Sequence, residues 1–258
     1  MNNMNKEDTQ KASIDLALWM GDNALILGHR LAELCGHGPI LEQDIALTNI
    51  ALDLVGQARM WLTLAGDLEG KGRTEDDLAY LRSDKEFTNI KLVELPNQDW
   101  GYVIARQFIF DAHHLVILEQ LSTSSEKAIA DIAQKAIKEV QYHLRFSSEW
   151  IIRLGDGTEF SRKRMQSAFD KLAPYIKALT LDDPLTILAK EAGIGIDNKA
   201  VEETAWKTFD AILSEATLEL ESPEYFHKGG KQGLHTEHMG FIIAEMQSVV
   251  RAMPNNKW

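Results

Sequence analysis

The feature that most constrains this chain is the spacing of its helix breakers. Gly36-His37-Gly38-Pro39, Gly70-Lys71-Gly72, Leu95-Pro96-Asn97, Ser122 to Ser125 and Gly155-Asp156-Gly157 leave four uninterrupted segments between them, at about 13–35, 41–69, 98–121 and 125–154. Each repeats apolar residues at helical period. The first has Leu16, Trp19, Met20, Ile26, Leu27, Leu31 and Leu34 on one stripe; the third has Ile104, Phe108, Leu115 and Leu118; the fourth has Ile129, Ile132, Ala133, Ala136, Val140, Leu144 and Ile151. No alternating run flanked by turns reads as a strand. The short loops after the first and third helices predict two antiparallel hairpins, and the long stretch 70–96, with a short helix near 75–82, predicts a crossover between them. Two helical hairpins joined by one long crossover is the ferritin-like arrangement. Later breakers at Asp183-Pro184, Ser222-Pro223 and Gly229-Gly230 leave further helices at roughly 159–180, 199–220 and 234–253. The expectation is one all-α domain over 1–258, a bundle of long helices with additional C-terminal helices and a flexible tail at 1–12.

Charge and cysteine usage narrow the function. A formal net charge of −12 argues against binding a nucleic-acid backbone or an anionic membrane. The single cysteine, Cys35, allows no internal disulfide and suits a reducing cytoplasm. No apolar run reaches the roughly 18 residues of a membrane span. The opening MNNMNKEDTQKAS lacks the apolar stretch of a signal peptide.

Ferritin-like metal sites take one carboxylate from each of two helices and Glu-x-x-His from each of the other two. Glu-x-x-His occurs once here, as Glu224 to His227, after Ser222-Pro223 and in a predicted loop. On the core-facing stripes lie Asn23 and Arg30 in the first helix, Asp53 in the second, Asp111 and His114 in the third, and His143 in the fourth with Glu139 beside it. A buried carboxylate is costly unless it is paired or binds metal. Three readings follow. Asp53, Asp111, His114, Glu139 and His143 form a metal site; or the same positions are closed by salt bridges and hydrogen bonds, with Arg30 or Arg59 against Asp53 or Asp111; or several of these groups face solvent. A further cluster, His235-Thr236-Glu237-His238, is either a metal half-site or the start of a Thr-capped helix. A mononuclear site built from Asp111, His143, Glu237 and His238 is the enzymatic alternative.

GDNALILGHRLAELCGHGP, ALTNIALDLVGQAR, KAIKEVQYHLRFSSEWIIRLGDGT and GGKQGLHTEHMGFIIAEMQ resemble the PaaC family, the non-catalytic ferritin-like subunits of bacterial phenylacetate–CoA oxygenases, and the similarity runs to Trp258. The resemblance implies a cytoplasmic scaffold in an NADPH- and O2-dependent complex that epoxidises the ring of phenylacetyl-CoA. It implies a sister subunit, PaaA, that carries the di-iron centre, a reductase subunit with FAD and an iron–sulfur cluster, and no cofactor in this chain. It also places relic ligand positions at Asp53-x-x-Gly56, Asp111 and Val140-x-x-His143, where Gly56 and Val140 cannot bind metal. Alone, such a chain is expected to form a homodimer; the other option is a homodimeric helical protein with no catalytic partner.

Overall fold

The computed structural model describes residues 6–221 and 223–254, and within them it is helical without a strand. Two long hairpins build the bundle. The first joins α1 (Lys6–Ala32) to α2 (Leu41–Glu69), and the second joins α4 (Trp100–Leu121) to α5 (Lys127–Gly155). The crossover carries α3 (Glu75–Tyr80) and two single 3-10 turns, Asp84–Glu86 and Lys91–Glu94. Beyond the bundle lie α6 (Glu159–Ile176), α7 (Pro184–Glu191), α8 (Asn198–Glu215), α9 (Glu237–Met246) and α10 (Ser248–Ala252).

Local chemistry sets these boundaries. Gly70 ends α2 at φ 64°, where its N–H reaches the carbonyl of Gly66. Gly66 itself is required by close approach, because a Cβ there would stand 2.3 Å from the Arg73 carbonyl oxygen. Thr74 and Asp77 form a reciprocal capping box at the start of α3. The Asp99 carboxylate accepts the Tyr102 N–H at the start of α4.

Helix α4 is the centre of the fold and is buried on nearly every face. It packs on α5, α6 and α8. Phe108 meets Phe169 of α6 and Phe209 of α8, with ring centroids 6.4 and 5.4 Å apart. The crossover is fastened to α1 by buried polar groups. Asp22 pairs with Arg82 and accepts the Thr88 N–H at 2.8 Å, the Asn23 amide oxygen accepts the Ile90 N–H at 2.9 Å, and Arg30 donates twice to the main-chain oxygen of Glu94. No helix among the described residues is long and apolar enough to cross a membrane.

Several expected boundaries move. Lys6 to Ala12 are already helical, so the expected tail contracts; residues 1–5 and the final Trp258 lie outside the described residues. The segment expected at 234–253 is two helices that meet at Gln247. Helix α7 was hidden because Asp183-Pro184 reads as a breaker. In the structure it is a start signal: Asp183 accepts the Thr186 N–H, and Pro184 occupies the first helical position, where no N–H is needed.

Candidate functional site: the polar core of the bundle

Where α2, α4 and α5 meet, the apolar core is interrupted by two chains of polar side chains. One runs from α2 to both neighbours. The Gln57 amide donates to Glu139 Oε2 of α5 at 2.9 Å, and its oxygen lies 3.0 Å from Nε2 of His114 on α4. Gln57 is completely buried, and the His114 ring stacks on Phe110. The other chain begins nearer the surface. Asp53, whose side chain is 37% exposed, lies 3.0 Å from Nε2 of the fully buried His143. Asp111 is also fully buried and accepts from Gln107 at 2.7 Å and from the Ser147 hydroxyl at 3.3 Å.

Burial governs the protonation of this core. It pushes the Asp111 carboxyl up to about 7, against the lowering effects of nearby His143 and of the Gln107 and Ser147 hydrogen bonds. Burial likewise drives His114 down to about 3, helped by His143, and its neighbour His113 down to about 4. At neutral pH both imidazoles are uncharged. His143 Nδ1 and Gln107 Oε1 are buried without a hydrogen-bond partner.

The structure therefore brings Asp53 to His143 and links His114 to Glu139 through Gln57. It does not use the expected arginines. Arg30 is engaged by Glu33 and the Glu94 carbonyl, and Arg59 by Glu75 on the outside of α3. Gly56 does not face the core: it is exposed, and a Cβ there would meet nothing within 4 Å. Helical geometry accounts for the correction: Asp53 stands at the edge of the inward face of α2, so a step of three residues turns outward to Gly56 and a step of four turns inward to Gln57. Val140 does lie in the core, fully buried. Gln57, Gln107 and Ser147 escaped sequence reasoning because amides and hydroxyls carry no metal-ligand signature; Gln57 at i+4 from Asp53 was the available clue.

The C-terminal cluster lies elsewhere. His235 Nδ1 is 2.6 Å from the buried Glu94 carboxylate, which also accepts from the Thr236 N–H, the Thr236 hydroxyl and Asn89. Thr236 caps α9. Glu237 is exposed and His238 half-buried on a helix that packs on the two 3-10 turns of the crossover, so they do not converge with Asp111 and His143. His227 lies in a loop, as expected, with its N–H on the Pro174 carbonyl and its ring stacked on Tyr175. Among the described residues, no group of three or more His, Cys, Asp or Glu is placed to hold a metal ion.

A family model described as phenylacetic acid catabolic protein, covering both PaaA and PaaC, matches residues 1–258. The chain belongs to this family. Within the phenylacetic acid catabolic proteins it is 45% identical over 242 residues to the C component of the 1,2-phenylacetyl-CoA epoxidase of Escherichia coli (strain K12). That alignment covers 93% of this chain and 97% of the relative. An all-α, ferritin-like bundle and a place in phenylacetate catabolism follow.

Proposed function

We propose that this protein is the structural, non-catalytic subunit of a multicomponent monooxygenase that epoxidises the ring of phenylacetyl-CoA, and that it braces the di-iron catalytic subunit. The support is the relative named as a component of such an epoxidase, together with the filling of the bundle centre. A di-iron bundle asks for carboxylates from four helices and a histidine from two. Here the carboxylate of α2, Asp53, is partly exposed and held on His143, the inward residue of α2 is an amide, Gln57, bonded to both Glu139 and His114, and α5 has Val140 one turn before His143. An amide already committed on both ends, and an alkyl group, do not fit the ligand set of two irons.

In this reading the iron sits in a PaaA-like sister subunit, and electrons come from NADPH through a reductase with FAD and an iron–sulfur cluster. This chain contributes rigidity. It buries a face of the catalytic subunit and holds the helices that bear the ligands in place. The complex works in the cytoplasm, and the chain alone covers its docking face by forming a homodimer. Co-expression with the neighbouring ferritin-like subunit tests the assignment: the two should purify as one stable complex, and ring epoxidation with reductase, NADPH and O2 should require both. A catalytic subunit that turns over equally well without this chain would overturn the scaffold role.

A further inference from the structure

Helix α6 carries two sides of opposite charge. One borders a cavity lined by Asp170, Glu219, Glu221 and Glu224 and by no cation. On the other, Phe160, Lys163, Arg164, Ser167 and Lys171 recur at helical spacing and so share one side of the helix. That side looks onto the start of α4. The two helices border an open cavity of about 410 Å³, with the buried Tyr102 in its floor, a size that suits a small organic ligand. Three cations line this cavity against one carboxylate, in a chain whose net charge is −12.

Two of these cations are held in place and still have donors to spare. Arg164 donates to Asp99 Oδ2 at 2.8 Å, and Lys171 Nζ donates to Gln98 Oε1 at 3.0 Å, so consecutive residues at the head of α4 draw them together. Asp99 occupies only one edge of the guanidinium and gives its other oxygen to the Tyr102 N–H. Lys171 meets no carboxylate among the described residues. Lys163 is already paired with Glu159, which leaves Arg164 and Lys171 as the charges open to a ligand. The exposed Ser167 hydroxyl lies one turn from each of them. Phe160 supplies an apolar surface beside them: its ring is 69% exposed, and the Arg164 guanidinium stands 4.8 Å from its centroid. An acidic peptide would use the cations and leave this ring idle. A nucleotide uses both, because any base has a flat π-face that stacks on an aromatic ring, and a phosphate takes the forked donors of arginine and the ammonium of lysine. We propose that this cavity binds a nucleotide, with the base stacked on Phe160 and a phosphate held by Arg164, Lys171 and Ser167. The site stands apart from the polar core of the bundle and does not depend on the scaffold reading.

Isothermal titration calorimetry of the full chain at low salt tests the site, with ADP, inorganic phosphate and coenzyme A as probes. ADP should bind once per chain with a Kd of about 0.1 mM, and inorganic phosphate about tenfold more weakly. Phe160→Ala should weaken ADP about tenfold and leave phosphate unchanged. Lys171→Ala should weaken both about tenfold. Both side chains are exposed, so melting temperatures should not move, and Glu224→Ala on the acidic side should alter neither affinity. Coenzyme A binding more tightly than ADP would name the nucleotide half of a thioester as the source; equal or weaker binding would name a free nucleotide. Either outcome supports the site. No ADP binding at about 1 mM, ADP binding unaffected by both substitutions, or a glutamate-rich peptide that binds more tightly than ADP and needs Lys171 but not Phe160 would each overturn the proposal. Co-purification with the catalytic subunit is scored separately, so a chain that ignores nucleotides yet is captured by that subunit sinks this site and leaves the scaffold reading standing.

Discussion

His143 Nε2 and Asp53 Oδ2 lie 3.0 Å apart, and this contact joins a fully buried imidazole on α5 to a partly exposed carboxylate on α2. It also marks a change in character along the core. Outward of it the polar groups meet water; inward of it Asp111, His114 and Gln57 answer only to one another and to their protein neighbours.

Asp111 makes stability depend on pH. Its folded-state value, about 7, lies above the ordinary 3.8, so the folded chain binds the extra proton between those values. The associated stability is full below 3.8 and is lost as pH rises through about 7, on the order of 1.4 kcal/mol per pH unit within that window. Asp111→Asn should flatten the decline. Melting temperatures at pH 5.5 and 8 check this, and an equal decline in wild type and variant would contradict it.

The buried histidines act in the opposite sense. His113 and His114, held near 4 and 3, resist protonation in the folded chain, whereas the unfolded chain takes up protons near 6.5. Their contribution is full above 6.5 and is lost as pH falls toward those lower values. His114→Gln should shift the acid-unfolding midpoint to lower pH in a titration followed by circular dichroism. A midpoint that moves upward would contradict the assignment.

Glu94 fastens the crossover to the C-terminal segment through His235, Thr236 and Asn89. Removing one member of such a buried charged set costs roughly 3–5 kcal/mol. Glu94→Ala should therefore destabilise the chain by that order, measured by chemical denaturation, whereas exposed Glu237→Ala should change little. Burial alone would lower His235, but hydrogen bonding and charge from Glu94 prevail and hold it above 6.5. Its contribution is present below 6.5 and lost as pH rises through the folded-state value. Amide exchange in residues 234–246 should accelerate at alkaline pH beyond the intrinsic rate increase. A matching acceleration in Glu94→Ala would show that the pair is not responsible.

The long helices were legible because four stretches of unbroken 3.6-residue periodicity admit few other folds, and α2 emerges at 41–69 as its breakers mark it. Asp111, His114 and His143 were legible as polar interruptions of apolar stripes, and all three are buried. Their partners were not. Arg30 and Arg59 carry long side chains whose reach depends on crossover geometry that local sequence does not encode, and both bond elsewhere. Gln57 stood one position from the turn that the Glu-x-x-His template assigned to Gly56, and phasing by a template hid it. The tie between Glu94 and His235 spans 141 residues, a separation at which periodicity carries no information.

The central claim is that this chain is a scaffold without a metal centre of its own, and iron content tests it most directly. Elemental analysis after aerobic purification from iron-rich medium should find no stoichiometric iron in the lone chain, and about two irons per catalytic subunit in the assembled complex, unchanged by His143→Ala in this chain. Close to two irons bound to the lone chain, and lost on His143→Ala, would contradict the account.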